Sequence, residues 1–152
     1  MKRLLFISFL YLFYFQNAAT AQDQFKLCDG VRTMPYYHPD ITNTLNFYDI
    51  KKHFRADYPE AKFKKLSSNS GLIAIQFKIN CKGEVGDYRL QQCDLNYRLT
   101  EMDTAITDYF MSKTKELKDW NLGKDENGLI VNSHKFYSFR IVNGVLTEIL
   151  PK

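Results

Sequence analysis

The stretch Gly71 to Leu90, GLIAIQFKINCKGEVGDYRL, constrains the fold more than any other part of the chain. Ile73, Ile75, Phe77 and Ile79 alternate with Ala74, Gln76, Lys78 and Asn80. This period of two belongs to a strand with one buried face. With Lys82-Gly83 as a two-residue turn, a second strand returns so that Phe77 faces Tyr88 and Ile75 faces Leu90. A lone hairpin is not stable in water, so its apolar face needs a second layer.

Two helical segments precede the hairpin. Asn46 is an N-cap type, with Asp49 three residues on, and Phe47, Ile50, Phe54 and Tyr58 form one apolar stripe. That helix is predicted to end near Asp57 or Tyr58, because Pro59 disfavours helical geometry in the residue before it. Pro59 can open a short second helix to about Lys65. After the hairpin, Thr100 and Asp103 suggest another helix start. Met102, Ile106, Tyr109, Phe110, Leu117 and Trp120 recur at helical spacing. A long strand follows, with Tyr137, Phe139 and Ile141 alternating with Ser138 and Arg140. Asn143-Gly144 is a strong hairpin turn and sends Val145 to Leu150 back beside it. The expected fold is α+β: a small antiparallel sheet of two hairpins packed on one long helix, with short N-terminal helices.

The N-terminus is of another kind. Lys2 and Arg3 precede an apolar run, Leu4 to Phe15, and Ala19-Thr20-Ala21 is a small-x-small site. Twelve helical residues span roughly 18 Å, against about 30 Å of bilayer hydrocarbon. Residues 1–21 are therefore expected to be a cleavable signal peptide, 22–46 an irregular lead-in and 47–152 the domain. The mature chain is expected to be exported, periplasmic or secreted. Lys2 and Arg3 removed from the 21 basic residues leave 19 against 17 acidic, a net charge of +2. This is too slight to indicate nucleic acid.

Export permits disulfides. A bridge between Cys81, at the hairpin tip, and Cys93, at its far end, would have to cover about 30 Å, so Cys28 is expected to pair with Cys81 or with Cys93. His38, His53 and His134 are scattered, and His53 reads as part of a solvated helix face. There is no metal-ligand spacing, no paired-carboxylate motif and no glycine-rich phosphate loop. No metal, no cofactor and no enzymatic activity are expected, the competing idea being a small secreted enzyme using a Cys and a His. Lys51, Lys52, Arg55, Lys62, Lys64 and Lys65 form a basic zone suited to an anionic membrane or cell-wall surface.

The order of these features resembles the C-terminal domain of TonB-type energy transducers. YPEAKFKKL is followed by GLIAIQFKINCKGEV, then a helix ending in DWNLG, then GLIVNSHKFYSFRIVNG, a correspondence running from about Tyr58 to Ile149. Leu122 stands before Gly123 where the family usually has Pro, and a cleavable signal with a short lead-in is expected in place of the family's membrane anchor and long linker. The resemblance implies a binding module that pairs an extended segment of an outer-membrane transporter or other envelope protein with a sheet edge. The edge so implied is the strand Val131 to Val142, with His134, Phe136, Ser138 and Arg140 as partner-reading positions. The hairpin at Asn143-Gly144 places the last strand along that same edge, as a displaceable or a permanent cap.

Overall fold

The structure is a computed structural model that describes residues 25–35 and 45–151. The expected signal peptide, His38 and much of the lead-in lie outside the described residues. The elements are β1 (Thr33–Pro35), α1 (Phe47–Arg55), α2 (Glu60–Phe63), β2 (Gly71–Ile79), β3 (Val85–Cys93), α3 (Thr104–Glu116), β4 (Gly123–Lys124), β5 (Ile130–Val142) and β6 (Val145–Leu150). No described helix is long and apolar enough to cross a membrane.

The chain is α+β, and its six-stranded sheet is mixed rather than antiparallel throughout. The order is β1-β5-β2-β3, with β4 and β6 also paired to β5. The departure from the expected sheet is β1, which runs parallel to β5 from Thr33↔Asn132 to Pro35↔His134. Three residues containing a proline carry no readable strand period, and Pro is tolerated at such an edge position.

Helix boundaries follow local chemistry. The Asn46 side chain accepts from the Asp49 amide at 3.0 Å, as a cap should. α1 ends at Arg55, earlier than Pro59 alone requires, because Ala56 is extended and Asp57 takes φ 57°. Asp103, not Thr100, caps α3, accepting from Ala105 N at 2.9 Å. Met102, Leu117 and Trp120 lie outside the helix yet are buried.

The β2–β3 register holds an informative correction. The loop is three residues long, closed by Asn80 N–H to Glu84 O at 2.9 Å, so Ile79 faces Val85 and Lys78 faces Gly86. A bulge then restores the offset, with Asp87 at φ 50°. Beyond it Ile75 faces Leu90 as expected, and the Phe77 and Tyr88 rings sit 5.7 Å apart.

Ile73, Ile75, Phe77 and Ile79 of β2 and Tyr137, Phe139 and Ile141 of β5 bury one face of the sheet. α1 and α3 cover it. Phe110 stacks on Phe139 with centroids 4.2 Å apart, and Phe54 meets Phe139 edge-on at 4.7 Å. Burial of this face supplies most of the stabilisation. At Asn143-Gly144 both residues take positive φ, 51° and 76°. A Cβ on Gly144 would strike the backbone of Phe63 and Lys64, so the turn fits closely against α2.

The N-terminal segment crosses the turn end of the sheet on the face away from the helices. Phe25 packs on Gly86, where any side chain would collide with its ring. Cys28 is bonded to Cys81, with Cα atoms 6.0 Å apart, and Cys93 is free. Two buried asparagines pin this strap. Asn132 accepts from Cys28 N and Cys81 N at 3.1 and 3.2 Å and donates to Cys28 O and Val31 O at 3.2 and 3.0 Å. Asn80 donates to Lys26 O and Glu84, and accepts from Lys82 N and Glu84 N. Both amides thus spend their full hydrogen-bonding capacity.

Because the bridge closes a separation of 53 residues, replacing both Cys28 and Cys81 by Ser is expected to lower the unfolding free energy by about 2–4 kcal/mol. The Cys93→Ser change is expected to stay within about 1 kcal/mol. Urea denaturation monitored by Trp120 fluorescence checks both.

Candidate functional site

β5 is an interior strand. β2 lies along one side from Gly71↔Ile141 to Ile79↔Ser133. On the other side β1 covers Asn132 to His134, and β6 covers Ser138 to Val142. The edge expected to be free is therefore occupied at His134 by β1 and at Ser138 and Arg140 by β6, with Phe136 in the gap between them, and these occupants have physical causes. The Asn143-Gly144 turn folds β6 back, and the disulfide with Asn132 holds β1 in place. The four side chains lie half-buried on the face away from the helices.

On the far side of β2 the sheet ends at β3, which pairs with β2 alone among the described strands. One end of its outer edge is covered, where Leu99 forms an antiparallel bridge with Cys93, and Phe25 packs on the sheet face at Gly86 near the other end. Between them Tyr88 to Gln92 offer about 16 Å of unpaired edge. Arg89, Leu90 and Gln91 are exposed there. Large apolar side chains flank this edge: Leu90 is 37% exposed, Tyr97 76% and Leu99 93%. The bulge at Asp87 and its ion pairs to Lys78 and Arg89 blunt only the turn end. The hydrogen bond from Lys78 is the main reason the Asp87 carboxyl titrates below its usual range.

The basic zone divides. Lys64 pairs with Glu60 at 2.6 Å, and Lys52, Lys62 and Lys65 are solvent-exposed. Lys51 and Arg55 turn instead toward β6. There they line a groove of about 340 Å³ with Arg140, Thr147, Glu148 and Ile149. Two sets of residues that the sequence kept apart thus meet, the helical basics and one position of β5.

His53 is not on a solvated face. Its Nε2 lies 2.8 Å from Lys113 O and 3.8 Å from Glu116, so it joins α1 to α3. Cys93 and His134 lie opposite Leu72 and Lys78 of β2. Six residues of strand separate those positions, about 20 Å, far beyond hydrogen-bond reach. Among the described residues no group of three His, Cys, Asp or Glu could hold a metal ion.

Lys135 is a feature the sequence reading passed over. It shares the inner face with Ser133, Tyr137 and Phe139, and the same alternation that placed Tyr137 inside could have placed it there. Its ammonium lies 5.7 Å from the Trp120 ring centre and 5.4 Å from that of Tyr137. Burial lowers its pKa to about 8. Burial likewise raises the phenols of Tyr137 and Tyr58, and Tyr109 to about 12.

No family model matches the chain, and neither does any curated protein or solved structure.

Lys135 carries a pH signature. Unfolded it titrates near 10.5, folded near 8, so between these values the unfolded chain holds the extra proton. Unfolding free energy is therefore expected to rise as the pH climbs from about 8 to about 10. Above about 10 the buried tyrosines act the opposite way, since there the folded state holds the extra protons. Urea titrations across this range check the rise, and Lys135→Met should flatten it.

Proposed function

We propose that this protein is a non-catalytic binding module of the cell envelope that pairs an extended segment of a partner protein with the outer edge of β3. The observation that carries this reading is the sheet order, in which β3 is an end strand nine residues long with an open centre flanked by Leu90, Tyr97 and Leu99. An added strand would satisfy the outward backbone groups of Tyr88 to Gln92, and the flanking apolar side chains would give it surface to bury. The resemblance to TonB-type C-terminal domains supports the mode of action, moved from β5 to β3. The signal-peptide pattern supports an exported location, and the partner class is an outer-membrane transporter or another envelope protein.

A second reading is an accessory envelope domain acting through its basic helical surface. Exposed Lys52, Lys62 and Lys65 favour it.

Site-specific photo-crosslinking in the native host separates the two. With the crosslinker at Arg89, Ser138 or Lys52 in turn, an envelope-protein adduct is expected at Arg89 and not at Ser138. Adducts confined to Lys52 would overturn strand addition at β3 in favour of the basic surface.

A further inference from the structure

We infer that Asn132 is the positioning residue for disulfide formation in this chain: it holds Cys28 and Cys81 together whether or not their sulfurs are joined, and so decides which two of the three cysteines pair. The inference concerns the strap across the sheet and stands apart from strand addition at β3.

The first observation is one oxygen shared by both cysteines. Asn132 Oδ1 accepts from Cys28 N at 3.1 Å and from Cys81 N at 3.2 Å. Those donors are the main-chain amides of the bonded pair, 53 residues apart in sequence, and neither bond involves a sulfur. Nδ2 of the same side chain donates to Cys28 O at 3.2 Å and to Val31 O at 3.0 Å. The main-chain N–H of Asn132 donates to Arg32 O at 2.9 Å. Cys28 is thus gripped at both its N–H and its C=O. Asn132 is 1% exposed, so water does not compete for these bonds.

The second observation is the place of the third cysteine. Cys93 stands opposite Leu72, whereas Cys81 lies just past Ile79, at the other end of β2. About nine residues of strand, roughly 30 Å, separate the two. The pairing of Ile79 with Ser133 sets Asn132 at the Cys81 end. Strand length alone rules out Cys81 with Cys93 but leaves Cys28 either choice. Asn132 makes that choice, because it fixes Cys28 beside Cys81 with Cα atoms 6.0 Å apart, within bridging range. Cys93 is left as the free thiol.

The chemistry is exchange with a small disulfide, oxidised glutathione. The thiolate of Cys28 or Cys81 attacks one glutathione sulfur, forms a mixed disulfide and releases one glutathione thiolate. The thiolate of the other cysteine then attacks the protein sulfur of that mixed disulfide, closing the bridge and releasing the second glutathione thiolate. Two protein thiols are oxidised, one glutathione disulfide is reduced to two thiols, and the protons pass from the former to the latter. Asn132 acts on the closing step, which is set by the effective concentration of one cysteine at the other. The same hydrogen bonds persist in the dithiol form, so β1 stays on β5 in either redox state.

The reduced protein, equilibrated in glutathione buffers, gives the effective concentration of the thiol pair, and peptide mapping by mass spectrometry identifies the bridges. Asn132→Leu, close in size but without the amide, is expected to lower the effective concentration about tenfold or more and to yield bridges that contain Cys93. Asn80→Leu removes as many side-chain hydrogen bonds at the same strap, none of them to a cysteine. It is expected to stay within about threefold, with Cys93 still a free thiol. Circular dichroism confirms that each variant is folded. A protein carrying Cys28→Ser and Cys81→Ser tests the same point with Asn132 intact: the amides at positions 28 and 81 are expected to stay protected from hydrogen exchange. An unchanged effective concentration in Asn132→Leu, equal losses in the two asparagine variants, or loss of that amide protection would each overturn the proposal.

Discussion

The antiparallel pairing of β5 with β2, unbroken from Gly71↔Ile141 to Ile79↔Ser133, is the constraint on which the rest of the molecule is arranged. It sets Ile73 beside Phe139 and Ile75 beside Tyr137, and so creates the apolar surface on which Phe54 and Phe110 pack. A one-residue slip would turn every one of these side chains to the other face. The hairpin turn and the bulge at Asp87 then serve that pairing, because they let β3 join β2 without disturbing its inward row. The same pairing commits one side of β5, and β1 and β6 commit most of the other. Any partner that adds a strand must therefore look to the ends of the sheet.

The strap across the sheet's turn end is the second organising device, and it works through polar groups. Asn80 and Asn132 continue the outward-facing rows of β2 and β5 yet are almost fully buried, because Phe25 to Val31 lie over them. Burying two amides is costly unless each finds its partners, and here each makes four bonds. The disulfide and Asn132 act on the same short segment, so β1 is held at its position by covalent and polar links rather than by strand propensity.

What could be read from the sequence follows from this division. The β2 alternation, the Asn143-Gly144 turn and the Asn46 cap are local signals, and each sits in the structure where the residues place it. The Cys28 pairing was narrowed to two candidates by strand length alone. Strand order was not legible, because a period of two says which face a strand buries and nothing about its neighbours. That is why the edge expected at His134, Phe136, Ser138 and Arg140 differs from the structure, where β1 pairs with His134 and β6 with Ser138 and Arg140. His53 misled in a similar way: KKHFR reads as a polar face, but its imidazole is turned toward α3. The groove joining Lys51 and Arg55 to Arg140 depends on contacts across about 90 residues of sequence, which no local pattern encodes.

The central claim, that β5 is interior and β3 is the open edge, is tested most directly by amide hydrogen exchange resolved by residue. Successive amides of β5 between Ser138 and Val142 should all be strongly protected, because both of its sides are paired. In β3, protection should alternate from Tyr88 to Gln92, with every second amide exchanging fast. Alternating protection in β5 together with uniform protection in β3 would contradict the account and restore β5 as the edge on which a partner adds.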